Sequence, residues 1–481
     1  MYIALEHASQ KAYDRVIAST KSNFSGAPGV DNCLKFHMVE NLIAAYTGIE
    51  PVEHDMCTDS CIGFTGPFTD LTECPICSKS RWNEARLEVS NGRIKLPAKT
   101  FTTLPLGLQL QALYQNSNSA REMRYLYERT QEILDKYRQK KKFSVIDDIV
   151  SGWDYLGAYL DGDIKENDIV LMTSIDGVQL YEDKDSDCWL YIWIVLNLSP
   201  DKRYRKTHVL PGGFIPGPNK PKNLDSFMVV GLHHLTALQK EGLKIWDSSR
   251  NEVFQSEPYL LFTTADGPGL VYWDGLVRHC GKKGCRLYCG VKGRQKDSRS
   301  HYYPALLVSD NPHEGSNHPD ISSANLPPAG NQEYSTNLVH LISSPNQHQF
   351  ELRHTETGIT KAPLILGFNS SRSLGVPLCM TTDVMHLAGN LSKLLISLWR
   401  GSITCAPTDD IATWDWAVLR DEATWQAHGR AIEEAGIYLP GSFDTKPRNL
   451  AEKMNTGYKT WEFQLYLFGL APALLHGLLP D

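Results

Sequence analysis

The chain has 481 residues, of which 42% are hydrophobic, and its formal net charge is −7. This length has room for roughly two to four domains, and the hydrophobic content is ordinary for a globular protein with a sizeable core. The mild acidity excludes a wholly basic nucleic-acid coat, although a basic groove on one face is compatible with it.

The sequence also argues against a membrane-spanning protein, a secreted protein and a protein stabilised by disulfides. No stretch approaches about 18 consecutive apolar residues, so we expect no membrane-spanning helix. The first residues lack a basic segment followed by an apolar one, so no signal peptide is predicted. Without a signal peptide, the protein is expected to stay in a reducing, intracellular setting. Clusters among its 11 cysteines are therefore expected to be metal ligands and not disulfides.

The N-terminal part is predicted to contain two helices. Residues 33–49 have apolar side chains at helical spacing, and residues 118–142 form a longer, highly charged helix. The second helix ends in a basic run at 138–142. We expect this run to be a solvated helix end that complements the helix dipole, with a DNA-facing patch as the alternative.

A cysteine cluster lies between these two helices. Cys57 and Cys61 form a CxxxC pair, Cys74 and Cys77 form a CxxC pair, and twelve residues separate the pairs. Closely spaced thiolates on tight turns can close a tetrahedral Zn²⁺ site, so the spacing predicts a zinc-ribbon-like module with no open coordination position. His54 is an alternative ligand to one of the thiolates, and four unrelated free cysteines are the other alternative.

The middle of the chain predicts a mixed α/β order. Three strands, at 168–176, 188–196 and 207–210, are followed by a Gly- and Pro-rich loop at 211–221, a helix at 224–243 and a fourth strand at 259–265. The first three strands, joined by short turns, predict an antiparallel meander. Helices are also expected at 383–399 and 459–478, and residues 291–335 are expected to form a long polar loop.

Two of the predicted strands end in an aspartate. Asp176 follows an apolar run that begins at Ile169, and Asp266 follows the run that begins at Tyr259. Carboxylates at neighbouring strand tips repel one another unless a cation lies between them, and Mg²⁺ is the usual cation. The alternative is a pair of ordinary aspartates at strand-to-turn junctions.

A second group of metal-ligand residue types follows Asp266. His279, Cys280, Cys285 and Cys289 fall within eleven residues, and Asp383 and His386 form a DxxH pair about a hundred residues later. Cys285, Cys289, Asp383 and His386 could hold a second Zn²⁺, with buried thiols and a hydrogen-bonded histidine as the alternative. A basic strip that could neutralise a phosphate backbone accompanies the group; it consists of Lys282, Lys283, Arg286, Lys292, Arg294 and Lys296.

Several strings of this sequence resemble those of CACTA (En/Spm-type) transposases, particularly those of fungi. They are the segment from His54 to Cys61, Phe64-Thr65-Gly66, Cys74-Pro75-Ile76-Cys77, Ile215-Pro216-Gly217-Pro218-Asn219-Lys220-Pro221 and Asp383-Val384-Met385-His386. Their order and spacing match, and the similarity extends from about residue 30 to 481.

The resemblance implies a DDE-type catalytic core with an RNase H-like fold. It implies Asp176 and Asp266 as the first two catalytic acids, holding Mg²⁺ or Mn²⁺, and structural Zn²⁺ in the cysteine module and in an insertion. Glu462, which opens the last helix, is the expected third acid, with Glu433 and Glu434 as alternatives. Related sequences carry CxxC where this chain has Cys285 and Cys289 in CxxxC spacing, so Cys280 is an alternative ligand.

The resulting fold prediction is α/β, with an RNase H-like mixed-sheet core and a zinc-binding insertion. Its segments are a helical segment at 1–50, the Cys₄ module at 51–90, helices at 91–165, the first part of the core at 166–290, the insertion at 291–400 and the C-terminal helices of the core at 401–481.

The predicted function is a nuclear DNA transposase that cleaves element ends and transfers strands into target DNA. The expected partner is therefore double-stranded DNA, at the terminal repeats and the target, without a membrane, and a homo-oligomer is left open. Only 19 residues follow Glu462, whereas members of the family that the sequence resembles usually continue further, so a truncated or inactive copy is left open. The alternatives are a non-catalytic, zinc-stabilised DNA-binding protein derived from a transposase and a nuclease that cuts without joining.

Overall fold

A computed structural model describes most of the chain. The described residues are 2, 5, 8–142, 145–179, 187–217, 219–295, 300–307, 319–328, 330–405, 409–441, 443 and 445–480. Pro218 of the predicted loop and Lys296 of the basic strip lie outside them. The chain divides into two compact units, Met1–Thr381 and Thr382–Asp481.

The first unit contains twelve α-helices and ten strands among its described residues. The helices are α1 (Gln10–Asn23), α2 (Phe36–Thr47), α3 (Glu84–Val89), α4 (Leu106–Leu113), α5 (Ser117–Glu122), α6 (Tyr125–Lys140), α7 (Trp153–Leu160), α8 (Pro200–Arg203), α9 (Asp225–Glu241), α10 (Gly267–Asp274), α11 (Asn331–Ile342) and α12 (Gln347–Thr357). The strands are β1 (Val52–Asp55), β2 (Thr100–Thr103), β3 (Val170–Gln179), β4 (Asp187–Val195), β5 (Leu210–Pro216), β6 (Leu243–Asp247), β7 (Glu252–Ser256), β8 (Tyr259–Thr264), β9 (Arg294–Gln295) and β10 (Tyr302–Tyr303).

A six-stranded mixed sheet forms the centre of the first unit, which confirms the predicted α/β class. The strand order is β1-β2-β5-β4-β3-β8. Neighbouring strands are antiparallel except β3 and β8, which are parallel. Parallel bridges from Leu260 to Ser373 and from Thr263 to Met380 place the segment 373–380 along the other edge of β8.

Side-chain alternation along the strands produces a hydrophobic core on each face of the sheet. Leu171 of β3 belongs to a cluster that includes Phe227 of α9. Its neighbour Val170 belongs to a second cluster that includes Leu156 of α7 and Ile133 of α6. Successive residues of a strand point to opposite faces, so helices cover both sides of β3, whose residues 170–175 are all buried or half-buried.

The described part of the second unit contains five α-helices around its own core. These are α13 (Val384–Trp399), α14 (Glu422–Ala435), α15 (Leu450–Lys453), α16 (Thr460–Leu465) and α17 (Ala471–Leu474), with a π-helical turn at Tyr466–Leu470. Ile396, Trp425 and Tyr466 are among the buried residues of that core. No helix in the described parts of either unit is long and apolar enough to cross a bilayer.

Three predicted elements differ from the structure for local reasons. The helix predicted at 118–142 is interrupted between α5 and α6, where the backbone N–H of Leu126 donates to the Asn197 carbonyl oxygen instead. The strand predicted at 207–210 lies further along the chain in the structure. It is β5, and it includes residues 211–216 of the predicted Gly/Pro loop. There Gly212 leaves room for the Tyr191 ring, which would lie 2.1 Å from an added Cβ. The last predicted helix is divided near Pro472, whose missing N–H disfavours a continuous helix.

The polar region at 291–335 also departs from the prediction of a long loop. It contains the short antiparallel pair β9–β10, and α11 begins within it.

Candidate active site and metal centre

The two predicted catalytic aspartates lie on neighbouring parallel strands. Ser174 of β3 is paired with Thr264 of β8, and continuing that register by two residues brings Asp266 level with Asp176. β8 itself ends at Thr264, and the backbone at Asp266 is also extended. Neighbouring strands are about 4.8 Å apart, which places both carboxylates at one end of the β3–β8 pair.

The sequence predicted that Asp176 ends its strand. In the structure β3 continues past Asp176 to Gln179. Its carboxylate is exposed, and Oδ1 accepts a hydrogen bond from the backbone N–H of Gly177 at 2.7 Å. An added Cβ at Gly177 would lie 2.9 Å from the Trp189 ring on β4. The glycine therefore lets the strand pass this ring while its N–H orients the Asp176 carboxylate.

Asp266 begins a helix instead of ending a strand. It is the N-cap of α10, and its Oδ1 accepts a hydrogen bond from the backbone N–H of Gly269 at 2.6 Å. N-cap side chains satisfy amide groups that have no partner inside the helix. One carboxylate oxygen is thus fixed by the turn, and the half-buried side chain stays at the end of β8.

The donor set at this end of the sheet suits a hard divalent cation. Mg²⁺ prefers carboxylate oxygens and is commonly held by one or two carboxylates, the remaining ligands being water and substrate phosphate. Within the described part of the first unit, no third Asp, Glu, His or Cys completes a three-residue metal group with Asp176 and Asp266.

Residues 157–301 match the family model described as Transposase family tnp2. We call these residues the transposase-like segment. They cover less than a third of the chain and include both Asp176 and Asp266. No curated protein matches the chain. The similarity supports a transposase function and, with it, DNA binding.

Glu462, the predicted third acid, lies in the second unit, outside the transposase-like segment. Its side chain is fully buried, and it accepts hydrogen bonds from the Arg448 guanidinium, from the Arg448 backbone N–H and from the Lys459 backbone N–H. Burial disfavours the carboxylate, but the bonds from Arg448 outweigh it, so the pKa of Glu462 is lowered. The alternatives, Glu433 and Glu434, are exposed on α14. The catalytic role of Glu462 stays a prediction.

The four cysteines of the N-terminal module meet at one point. One sulfur atom from each of Cys57, Cys61, Cys74 and Cys77 lies within 4.8 Å of the others, and the sulfurs of Cys57 and Cys77 are 3.4 Å apart. In the parts of the chain that the structure describes, this is the sole group of three or more such side chains. The number and type of donors fit a structural Zn²⁺ site.

Two tight turns position these thiols. Ser60 donates its backbone N–H to Cys57, and Ser78 donates its backbone N–H to Cys74. Both serines have a positive φ, 59° and 58°, a conformation that non-glycine residues adopt mainly in tight turns. Burial raises the pKa of the Cys61 thiol to about 12.

The cysteine module is attached to the transposase-like segment at the start of α9. Ser226 accepts a hydrogen bond from the Gly63 N–H at 2.8 Å, and Asn223 donates its backbone N–H to the Cys61 carbonyl at 2.9 Å. Phe101 of β2 packs edge-to-face on Phe227 with ring centroids 5.0 Å apart. β1 and β2 also extend the central sheet beyond β5. The module is therefore part of the first unit's fold and not a separate domain.

The second predicted metal group is found in two separate parts of the chain. The sulfurs of Cys285 and Cys289 are 3.1 Å apart, and with His279 they line a cavity of about 330 Å³ in the first unit. Asp383 and His386 lie in the second unit, where Asp383 caps α13 and its carboxylate contacts the His386 ring. Zn²⁺ binding by these four residues remains a prediction.

Two members of the predicted basic strip have structural partners. Arg286 is paired with the buried Asp274 at 2.5 Å, and the guanidinium of the buried Arg294 donates to the carbonyl oxygens of Ala305 and Leu306. These arginines therefore hold the segment after α10 together, and they are not a free phosphate-binding strip.

One feature near Asp176 and Asp266 was not predicted from the sequence. The exposed Lys220 places its ammonium group 4.7 Å from the ring centroid of Trp189 and 5.4 Å from that of Tyr272. Trp189 lies opposite Gly177 on β4, and Tyr272 belongs to α10, which Asp266 caps. The aromatic alternation of the second strand was the available signal, but sequence alone does not show which lysine stacks on it.

Proposed function

We propose that this protein is a DNA transposase of the CACTA type, in which Asp176 and Asp266 hold the divalent cations that support phosphodiester cleavage and strand transfer. The observation that carries the proposal is the parallel pairing of β3 with β8 up to Ser174 and Thr264, each of which lies two residues before one of the aspartates. The match of the surrounding residues 157–301 to a transposase family supports it.

We further propose that the central sheet is an RNase H-like core. The support is its topology: the antiparallel strands β3, β4 and β5 are followed by α9, and β8 then adds parallel to β3. The segment 373–380 continues the parallel order beyond β8. In this arrangement the first and fourth strands of the core are neighbours, which brings together residues 90 positions apart in the sequence.

The residues of this site have separate roles in the proposed chemistry. The carboxylates of Asp176 and Asp266 bind the cations, and the N–H groups of Gly177 and Gly269 orient one oxygen of each carboxylate. Bound Mg²⁺ or Mn²⁺ supplies activation of the attacking hydroxyl and stabilisation of charge on phosphate oxygens. Use of Glu462 as the third acid would require its release from Arg448, because that guanidinium now occupies its oxygens.

The cysteine module has a structural part in this proposal. We propose that Cys57, Cys61, Cys74 and Cys77 bind Zn²⁺ and so fix the edge formed by β1 and β2. Because four thiolates complete the usual tetrahedral shell of Zn²⁺, no coordination position remains for catalysis. A nuclear location stays a prediction.

A nicking assay on supercoiled plasmid DNA tests the proposal. With Mg²⁺ or Mn²⁺ present, the wild-type chain is expected to nick the plasmid. Asp176→Asn and Asp266→Asn keep the side-chain shape but remove the charge that binds the cation. Each variant is expected to nick the plasmid at least about 100-fold more slowly, because a bound cation supplies several kcal/mol of transition-state stabilisation. Asp161→Asn, which changes an exposed aspartate outside the site, is the matched control.

The other outcomes of this assay have definite meanings. Full activity of Asp176→Asn contradicts the proposed cation site. Salt-sensitive plasmid binding with no nicking by the wild-type chain supports the non-catalytic DNA-binding alternative, which the engagement of Glu462 by Arg448 favours. Nicking without joining of a 3′-hydroxyl strand to the plasmid supports the nuclease alternative.

A further inference from the structure

An exposed lysine lies against two aromatic rings close to Asp176 and Asp266. The ammonium group of Lys220 is 4.7 Å from the ring centroid of Trp189 and 5.4 Å from that of Tyr272. The two rings meet edge-to-face, with their centroids 5.8 Å apart. A lysine stem packs on apolar surface while its charged head stays in water, and aromatic faces attract that charge. The rings therefore hold this ammonium group in one place at the protein surface.

The charge of Lys220 is not neutralised by the protein. Among the residues that the structure describes, neither a hydrogen bond nor an ion pair joins its ammonium group to another residue. Other cations of the first unit do have partners, since Lys361 is paired with Asp225 at 2.5 Å. Arg286 is paired with Asp274 in the same way. An unpaired, exposed ammonium group keeps its three N–H donors for a ligand, and the ligand that suits it is an anion.

The two rings place the lysine near the proposed cation site. Trp189 is paired on the sheet with Gly177, the residue after Asp176. Tyr272 belongs to α10, the helix that Asp266 caps. Successive strand residues point to opposite faces, so the Trp189 ring and the Asp176 carboxylate lie on different sides of the sheet. The lysine therefore approaches this end of the sheet from the side away from that carboxylate, and an anion that it binds is not the group held by the cations.

The segment that presents Lys220, between β5 and α9, is fixed at both ends by the cysteine module. At its start, Ser60 donates its hydroxyl to the Pro216 carbonyl oxygen at 3.1 Å. At its end, the Asn223 backbone N–H donates to the Cys61 carbonyl oxygen at 2.9 Å. Order that exists before a ligand arrives lowers the entropic cost of binding it. The fold thus presents the lysine in a set position, supported by the module on one side and by the two rings on the other.

We infer that Lys220 binds a backbone phosphate of double-stranded DNA, next to the phosphate that lies at the proposed cation site. DNA carries a phosphate for about every 3.4 Å of helix axis on each strand. A duplex at the end of β3 and β8 therefore offers further phosphates beside the one at the cations. Such a contact positions the duplex and reads no base sequence. The inference rests on the proposed function, because it takes double-stranded DNA as the ligand.

The salt dependence of DNA binding tests the inference. The probe is a fluorescein-labelled duplex of about 30 base pairs, titrated with the full-length chain without added Mg²⁺ or Mn²⁺ so that it is not cut. Lys220→Met keeps the apolar stem and removes the charge. We expect about tenfold weaker binding and a slope of log affinity against log salt concentration that is about 0.9 smaller in magnitude. Lys220→Arg, which keeps the charge, is expected to retain both values.

The matched control is Lys244→Met, which is expected to bind as the wild-type chain does. Lys244 is exposed on β6, which precedes the start of β8, whereas Asp266 follows the end of β8.

The outcomes separate this inference from the proposed function. An unchanged slope in Lys220→Met, with a wild-type chain that binds and nicks DNA, overturns the inference and leaves the cation site standing. Equal loss of binding in Lys220→Arg and Lys220→Met also overturns it, because the lysine would then act through packing. The expected slopes in a chain that nicks no plasmid support the phosphate contact and contradict the cation site. A wild-type chain that does not bind the duplex overturns both.

Acetylation of lysines followed by mass spectrometry gives a second measurement, on the wild-type chain alone. Saturating duplex is expected to slow the acetylation of Lys220, whereas Lys244 is expected to react equally fast with and without DNA. Equal acetylation rates of Lys220 in the two samples overturn the inference, whatever the folding of the variants.

Discussion

The substitution Glu462→Gln tests whether the predicted third acid is an anchor of the second unit. Glu462 is fully buried, and its two oxygens accept four hydrogen bonds from Arg448 and from the Lys459 backbone. The Arg448 side chain is 41% exposed, so solvent screens its charge when the partner is removed. We therefore expect a loss of about 1.5 to 3 kcal/mol, the range for a hydrogen bond to a charged group.

Hydrogen–deuterium exchange followed by mass spectrometry measures this loss in the full-length chain. A decrease of about 1.5 to 3 kcal/mol in local stability corresponds to roughly 10- to 100-fold faster exchange of the amides around α16. Glu433→Gln, on the exposed side of α14, is the control and should leave exchange unchanged. Unchanged protection in Glu462→Gln would show that this carboxylate does not anchor the second unit. Loss of DNA cleavage in the same variant would then mean that the carboxylate acts as the third acid.

The same carboxylate gives the second unit a definite pH dependence. The pKa of Glu462 is lowered in the folded chain, so the stability it contributes is fully present above the unfolded value of about 4.3. That stability is lost as the pH falls through the lower folded pKa. The wild-type chain should therefore lose protection around α16 in this acidic window, and Glu462→Gln should show a smaller pH effect.

Two further predictions concern the cysteine module and the strand that carries Asp176. Cys61→Ser should lose about one Zn²⁺ per chain by elemental analysis, whereas Cys33→Ser, outside the cluster, should keep it; equal zinc content would contradict the Cys₄ assignment. Gly177→Ala forces a Cβ to within 2.9 Å of the Trp189 ring and should lower the free energy of unfolding by about 1 to 3 kcal/mol in urea titrations. Gly157→Ala, where an added Cβ meets no atom within 4 Å, should not destabilise the chain, and an equal loss in both variants would refute the steric argument.

Much of the central fold could be predicted because its signals are local. Apolar runs ending in turn formers predicted β3, β4 and β8, and helical spacing predicted α9 and α13. The cysteine spacing predicted the cluster that the structure brings together. These patterns depend on residues close in sequence, so a single chain is enough to read them.

The rest depends on contacts between residues distant in sequence. The strands β1 and β2 are four residues long, too short for a periodicity signal, and they join the sheet only because β2 pairs with β5. β5 contains two prolines and two glycines, which predicted a loop, but the Tyr191 ring packs on those glycines. The burial of Glu462 and its pairing with Arg448 could not be predicted from the sequence either. A glutamate at the start of a helix gives the same sequence pattern whether it caps the helix, pairs with an arginine or binds a metal.

Iron-mediated cleavage of the polypeptide shows whether Asp176 and Asp266 bind one and the same cation. Fe²⁺ replaces Mg²⁺ at such sites and, with ascorbate and peroxide, cuts the backbone near its ligands. We predict cuts in the wild-type chain near both aspartates, competed by Mg²⁺, and loss of both cuts in Asp176→Asn. Cuts near Asp266 that persist at full strength in Asp176→Asn would contradict the claim that the two carboxylates share a cation.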